Sequence, residues 1–210
     1  MRIEYIFTIL FLALGPLGVI PVFDECTRGA DRRYRLRVAA TACAIAAGIL
    51  AVVALLGAGT LANWHVSRAA LEIAIGILLL RSTFTSIARL EGIMQKGANS
   101  ASVAADLPAP AALAFSPIAA PTIVSATGVV TVALFLSLAS GNPLLQTKIY
   151  AVLLFLLALD FAAMLAARPI MRFVRMPTLA IVGWIFAALQ AALAVEVTLA
   201  GLRLAGFLPR

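Results

Sequence analysis

The sequence predicts an all-α, polytopic membrane protein: six transmembrane helices arranged as an inverted 3+3 repeat, with helices 1 and 4 discontinuous. Three observations carry this expectation. Of 210 residues, 63% are hydrophobic and only 12% are charged, with a mean hydropathy of +1.08, whereas soluble domains carry roughly 25% charged residues. Six apolar stretches come close to the ~20 residues needed to cross a bilayer. One polar segment, RLEGIMQKGANSASVAADLPAP (89–110), divides them three and three.

The first span covers about 3–23. Arg2 and the apolar run Tyr5–Leu14 imitate a signal peptide, but no small-residue cleavage site follows and the apolar character resumes. An uncleaved span is therefore expected. It contains Gly15, Pro16, Gly18 and Pro21. The second span, 38–60, is rich in alanine and carries Gly-Ala-Gly at 57–59, a composition that lets helices associate. The third, 69–88, has Glu72 four residues after Arg68, which places the two on one helix face, and Arg81 deeper in. Residues 89–112 read as a cytoplasmic linker between a first three-helix repeat (1–88) and a second (113–210), with Ser, Gly, Asn and Pro typical of a mobile segment. The fourth span, 113–139, contains SPIAAPTIVSATG, with Pro117, Pro121, Ser125, Thr127 and Gly128. The fifth, 148–167, holds Asp160, and the sixth, 179–201, holds Gln190 and Glu196. Glu196 is either a vestibule carboxylate or an interfacial one.

Charge orients these spans. If alternate connections face alternate sides, the first, third and fifth, with their flanks, hold eleven of the sixteen basic residues: Arg28, Arg32, Arg33, Arg35 and Arg37; Arg81, Arg89 and Lys96; Arg168, Arg172 and Arg175. The other side holds five: Arg2, Arg68, Lys148, Arg203 and Arg210. Cytoplasmic loops carry the Lys/Arg excess, so both termini are expected outside and the linker inside. The cluster Arg28–Arg37 reads as a topology anchor against anionic lipid heads. Three spans per half is an odd number, so the second half enters the membrane from the opposite side, which is the topology of an inverted-repeat transporter.

Proline removes a backbone donor and clashes with the preceding turn, while glycine leaves helical dihedrals at little steric cost. Within a bilayer the freed backbone groups must meet protein, water or a ligand. The breakers therefore point to half-helix ends lining a substrate site, with Gly15, Pro16, Gly18 and Pro21 from the first half and Pro121, Ser125, Thr127 and Gly128 from the second. The alternative is a pair of kinks that allow close packing on small residues such as Ala39, Ala40 and Ala42. Gly15, Arg81, Thr127, Asp160 and Gln190 all fall about 11 to 12 residues from the outer ends, roughly 18 Å deep in a ~30 Å core. Intramembrane charges usually face the interior with a partner. Asp160 and Arg81 are accordingly expected to approach each other with Gln190 nearby, the alternative for Arg81 being to snorkel to the inner surface beside Arg89.

Little else in the sequence carries chemistry. Cys26 and Cys43 form no CxxC and the chain has one histidine, His65, so no disulfide framework, metal centre or cofactor is expected. A six-span thiol carrier needs a reactive cysteine in each half and none follows Cys43; Asp160 has no second intramembrane aspartate. No catalytic residue is assigned and no enzyme is expected. The basic residues are not interleaved with aromatics, which argues against nucleic acid. The expected partners are membrane lipid and a small-molecule solute, and a homo-oligomer is left open.

GPLGVIPVF (15–23), ALEIAIGILLL (70–80) and LQAALAVEVTLAGL (189–202), taken with the six-span layout, resemble the MarC family of bacterial inner-membrane proteins. That family lies within the lysine-exporter superfamily, close to neutral amino acid transporters of six spans. The resemblance extends over nearly the whole chain. It implies a multi-pass protein of the bacterial inner (plasma) membrane that transports or exports a small polar, amino-acid-like solute by alternating access. The family tends to have Asp where Gly15 stands, Asn at Val19, Arg near Glu72, Gly-Pro-Gly near Ser125–Thr127 and Arg near Trp184. Its charge network is therefore not carried over, and Arg81 with Asp160 is the expected substitute. A non-transporting membrane scaffold or assembly protein is the other function that the sequence leaves open.

Overall fold

The computed structural model describes residues 3–14, 18–63, 66–99, 109–139, 141–173, 176–207 and 209. These form eight α-helices: α1 (Ile3–Leu14), α2 (Val19–Cys26), α3 (Arg32–Asn63), α4 (Arg68–Asn99), α5 (Pro110–Leu113), α6 (Ala126–Leu138), α7 (Pro143–Phe173) and α8 (Met176–Leu204). An irregular segment of wide turns, Ala114–Ile123, joins α5 to α6. Five stretches are long and apolar enough to cross a membrane: Ile3–Cys26, Arg32–Leu56, Arg68–Ala88, Pro143–Arg172 and Ile181–Leu204. They coincide with five of the expected spans. The remaining one, at 113–139, is built from shorter apolar pieces.

The sequence explains that interruption. Ser116 (φ −135°, ψ 127°) and Ala120 (φ −128°, ψ 126°) are extended, and each immediately precedes a proline. A proline ring clashes with the backbone and Cβ of the residue before it and drives that residue out of the helical region. The gap satisfies its own backbone groups: Thr122 Oγ1 donates to the Pro117 carbonyl at 2.6 Å and Val124 N–H to the Ala119 carbonyl at 2.8 Å. Ser125 then restarts the helix as the N-cap of α6, accepting from the Gly128 N–H at 3.0 Å.

Within the expected linker region 89–112, α4 continues to Asn99 and α5 begins at Pro110. Residues 100–108 lie outside the described ones. Arg, Leu, Glu, Met, Gln and Lys are good helix formers. Hydropathy marks where the bilayer ends, whereas backbone hydrogen bonding decides where the helix ends.

The helices pack selectively. α4 lies along α8; α3 packs on α6, on the irregular segment and on α7; α1 and α2 pack on α7; α1 and α4 also touch α6. Ile6, Leu10, Phe23, Ile75, Ile118 and Leu156 are among the fully enclosed core side chains, while Leu55, Phe84, Leu154 and Leu189 stand exposed. An apolar exterior of this kind suits lipid as its solvent.

Glycine brings α4 and α8 together. A Cβ on Gly76 would run into Thr198 Oγ1 and come within 2.7 Å of the Ala194 carbonyl; one on Gly201 would come within 2.9 Å of the Ile73 nitrogen and 3.0 Å of the Ala69 carbonyl. The two contacts run in opposite directions along the chain, so the helices are antiparallel. α3 and α7 are antiparallel as well: Cys43 Sγ sits 3.8 Å from the Leu157 carbonyl, and Arg35 lies within electrostatic reach of Arg168. The connection after α2 and the end of α7 therefore share one end of the bundle. Tyr5 meets Arg68, Glu72 and Glu196 at the other.

Candidate functional site

The end of α1 and the beginning of α6 meet. Ser125 Oγ donates to the Ala13 carbonyl at 3.0 Å while it caps Gly128. Ala13 is the next-to-last residue of α1 as described, and its carbonyl takes this bond from across the bundle. Leu14 lies over Gly128 so closely that a Cβ there would come within 2.9 Å of Leu14 Cδ2. Thr127 is buried, and its Oγ1 donates to the Leu78 carbonyl of α4 at 3.1 Å. The first turn of α6 thus ties to two helices through side-chain bonds spanning 112 and 49 residues of sequence. The amide end of α6, with its partial positive charge, therefore lies against the Ala13 carbonyl of α1.

The sequence-predicted residues divide accordingly. Ser125, Thr127 and Gly128 stand at this junction. Gly15 and Pro16 fall outside the described residues, as does the side chain of Pro121. Gly18 has ordinary right-handed helical dihedrals (φ −71°, ψ −25°) and open space where a Cβ would go, so nothing there demands glycine. Pro21 is buried as the third residue of α2. No intrahelical N–H bond is made in a first turn, so Pro21 begins a helix instead of breaking one.

Asp160 occupies the inner face of α7, in the series Ile149, Leu153, Leu156, Asp160, Met164 and Ala167, all buried. It is 1% exposed, and its Oδ1 has no hydrogen-bond partner among the described residues. Cys43 lies within its electrostatic reach. The expected approach to Arg81 does not occur: Arg81 is exposed, and no ion pair joins it to Asp160 among the described residues. Packing gives the reason, because α4 turns its inner face to α8 and makes no extensive contact with α7. Gln190 is buried, but on the stripe Ala187, Gln190, Ala194, Val197 and Gly201 that faces α4. The three polar residues expected together therefore sit in three different settings.

Other residues emerge only from the structure. Thr131, fully buried and with no hydrogen-bond partner for its Oγ1 among the described residues, lies one turn beyond Thr127. Its sequence signal was the four-residue spacing of two threonines in ATGVVTVALFLSL, which puts both on one face. Cys43 was legible only as a packing residue. Arg35, expected to be a surface anchor, is 8% exposed and holds its guanidinium carbon 5.4 Å from the centre of the Phe23 ring. The Arg68–Glu72 pair forms as its spacing required, at 3.0 Å. Glu196 pairs with Arg203 at 3.8 Å with both side chains exposed, which makes it interfacial.

A family model described as MarC family integral membrane protein matches residues 2–205. The chain belongs to the MarC family. No curated protein and no solved structure matches it. The family match runs across every described helix and across both ends of the junction at Ser125. With five helices long and apolar enough to cross a bilayer, this MarC-family chain is a multi-pass integral membrane protein.

Proposed function

We propose that this MarC-family protein transports or exports a small polar, amino-acid-like solute by alternating access, and that it is not an enzyme. In this reading it has six spans in an inverted 3+3 repeat and sits in a bacterial inner membrane with both termini outside. The observation that carries the reading is the Ser125–Ala13 junction, where the amide end of α6, which follows an interrupted segment, bonds a carbonyl of α1. Such ends bind carboxylates and cations in transporters built from discontinuous helices. Ser125, Thr127 and the first amides of α6 would take a solute carboxylate. Leu14 over Gly128 closes the junction here, and rocking one half against the other would open it.

The packing supports the repeat. Exchanging α1/α2 with α5/α6, α3 with α7 and α4 with α8 maps several contacts onto themselves: α4 on α8, α3 on α7 and α1 on α6 are self-related, and α3 on α6 corresponds to α7 on α1/α2, whereas α4 on α6 has no counterpart of similar extent from α8 among the described residues. Asp160 is the group assigned to proton or ion coupling, since a buried carboxyl group whose Oδ1 has no hydrogen-bond partner among the described residues is costly to keep charged.

The test is solute flux in proteoliposomes, screened over amino acids and related solutes with and without a proton gradient. Asp160→Asn abolishes gradient-driven flux in a folded protein if Asp160 couples transport; undiminished flux rejects that role. The direct packing of Leu14 on Gly128 favours a second reading, a non-transporting scaffold. Under that reading wild-type vesicles pass no screened solute faster than empty ones.

A further inference from the structure

Arg35 differs from the other arginines around it. Arg28, Arg32, Arg33 and Arg37 are exposed, as an anchor against lipid heads should be. Arg35 is more than nine-tenths buried, and its Nη2 has no hydrogen-bond partner among the described residues. The Phe23 ring covers one face of the guanidinium, which satisfies its charge in part but accepts none of its N–H bonds.

Its surroundings add positive potential. Arg35 is the fourth residue of α3, so the partial charge of that helix end has the same sign as its own. Arg168, near the end of α7, lies within electrostatic reach and also repels it. Asp24 is a carboxylate within electrostatic reach, yet no ion pair joins it to Arg35 among the described residues. A buried guanidinium with an unmade bond at a helix amino end, with a second guanidinium within electrostatic reach, is an arrangement missing an anion.

We propose that Arg35 and Arg168 form a binding site for a phosphate-type oxyanion at the end of the bundle where α2, α3 and α7 come together. Two sources share this chemistry, the headgroup phosphate of an anionic lipid and free phosphate. A phosphate oxygen accepts from Arg35 Nη2, and Arg168, whose side chain is exposed, turns to accompany it. The site lies about eight residues along α3 from Cys43, or ~12 Å, so it is distinct from the Asp160 region.

The experiment uses the full chain in detergent. One arm measures retention of phosphatidylglycerol against phosphatidylcholine by native mass spectrometry; the other measures the thermal shift produced by inorganic phosphate at constant ionic strength. Three variants are compared: Arg35→Gln, Arg168→Gln and, as the exposed neighbour, Arg33→Gln. Loss of one charge-assisted bond predicts that Arg35→Gln weakens binding about tenfold. Arg168→Gln weakens it about threefold to tenfold and Arg33→Gln less than about twofold. A response confined to phosphatidylglycerol assigns the site to lipid, and a response to phosphate assigns it to a soluble anion; either one supports the proposal. Equal losses in all three variants, or no binding in either arm, overturns it. If Arg35→Gln fails to fold, Arg168→Gln against Arg33→Gln decides.

Discussion

Two seams of this bundle solve different problems. Between α4 and α8 the contact is close and small: Gly76 and Gly201 let the backbones approach, and Gln190 is the polar side chain buried on the α8 stripe. The inner faces of α6 and α7 hold Ser125, Thr127, Thr131 and Asp160, of which Thr131 Oγ1 and Asp160 Oδ1 have no hydrogen-bond partner among the described residues. The first seam leaves no room for anything to enter. The second keeps polar groups whose bonding is incomplete, which a purely structural core would avoid. The contrast sets a close-packed α4–α8 pair against the polar groups carried by α6 and α7.

The strongest way to break this contrast is to widen the tight seam. Gly76→Leu forces a side chain into Thr198 and the Ala194 carbonyl, and should cost about 3 kcal/mol or more, read as thermal unfolding in detergent. Gly48→Leu, at an α3 position with open space around it, should change stability by less than about 1 kcal/mol. Similar losses at both positions would end the distinction. Next in size, Asp160→Leu removes a buried carboxyl group whose Oδ1 has no hydrogen-bond partner among the described residues, and should raise stability by about 1–3 kcal/mol while abolishing any coupled flux. A loss of stability would instead reveal a partner for the carboxylate.

Ser125→Ala removes both the α6 cap and the bond to Ala13, and should destabilise by about 1–2 kcal/mol. Thr127→Val loses one bond, to Leu78, with an expected cost of about 0.6 kcal/mol in the same unfolding experiment. The smallest effect is expected for Glu72→Gln. Its pair with Arg68 has an exposed partner and lies within one helix, so stability should move by less than about 0.5 kcal/mol.

Much of this was legible along the chain. Prolines 117 and 121 announced a disturbed fourth span, and the structure shows the mechanism in the extended residues that precede them. Arg68 and Glu72 announced an ion pair four residues apart. By contrast, Arg81 and Asp160 matched in depth and yet do not meet. Depth follows from counting residues along one helix, but meeting also needs the right rotation and the right neighbour. Arg35 was illegible for a similar reason, since nothing in RRYRLR distinguishes the one arginine that turns beneath Phe23 from those that face outward.

Apolar run length, proline position and charge imbalance established a multi-pass membrane protein with a disturbed fourth span. These features act locally, through the thickness of the bilayer and the sterics of single peptide units, so they survive in one dimension. The pairing of α4 with α8, the junction of Ser125 with Ala13 and the solitary setting of Asp160 belong to the folded bundle. They depend on which faces meet between helices far apart in sequence, and the mostly apolar face of a lipid-embedded helix does not announce its partner.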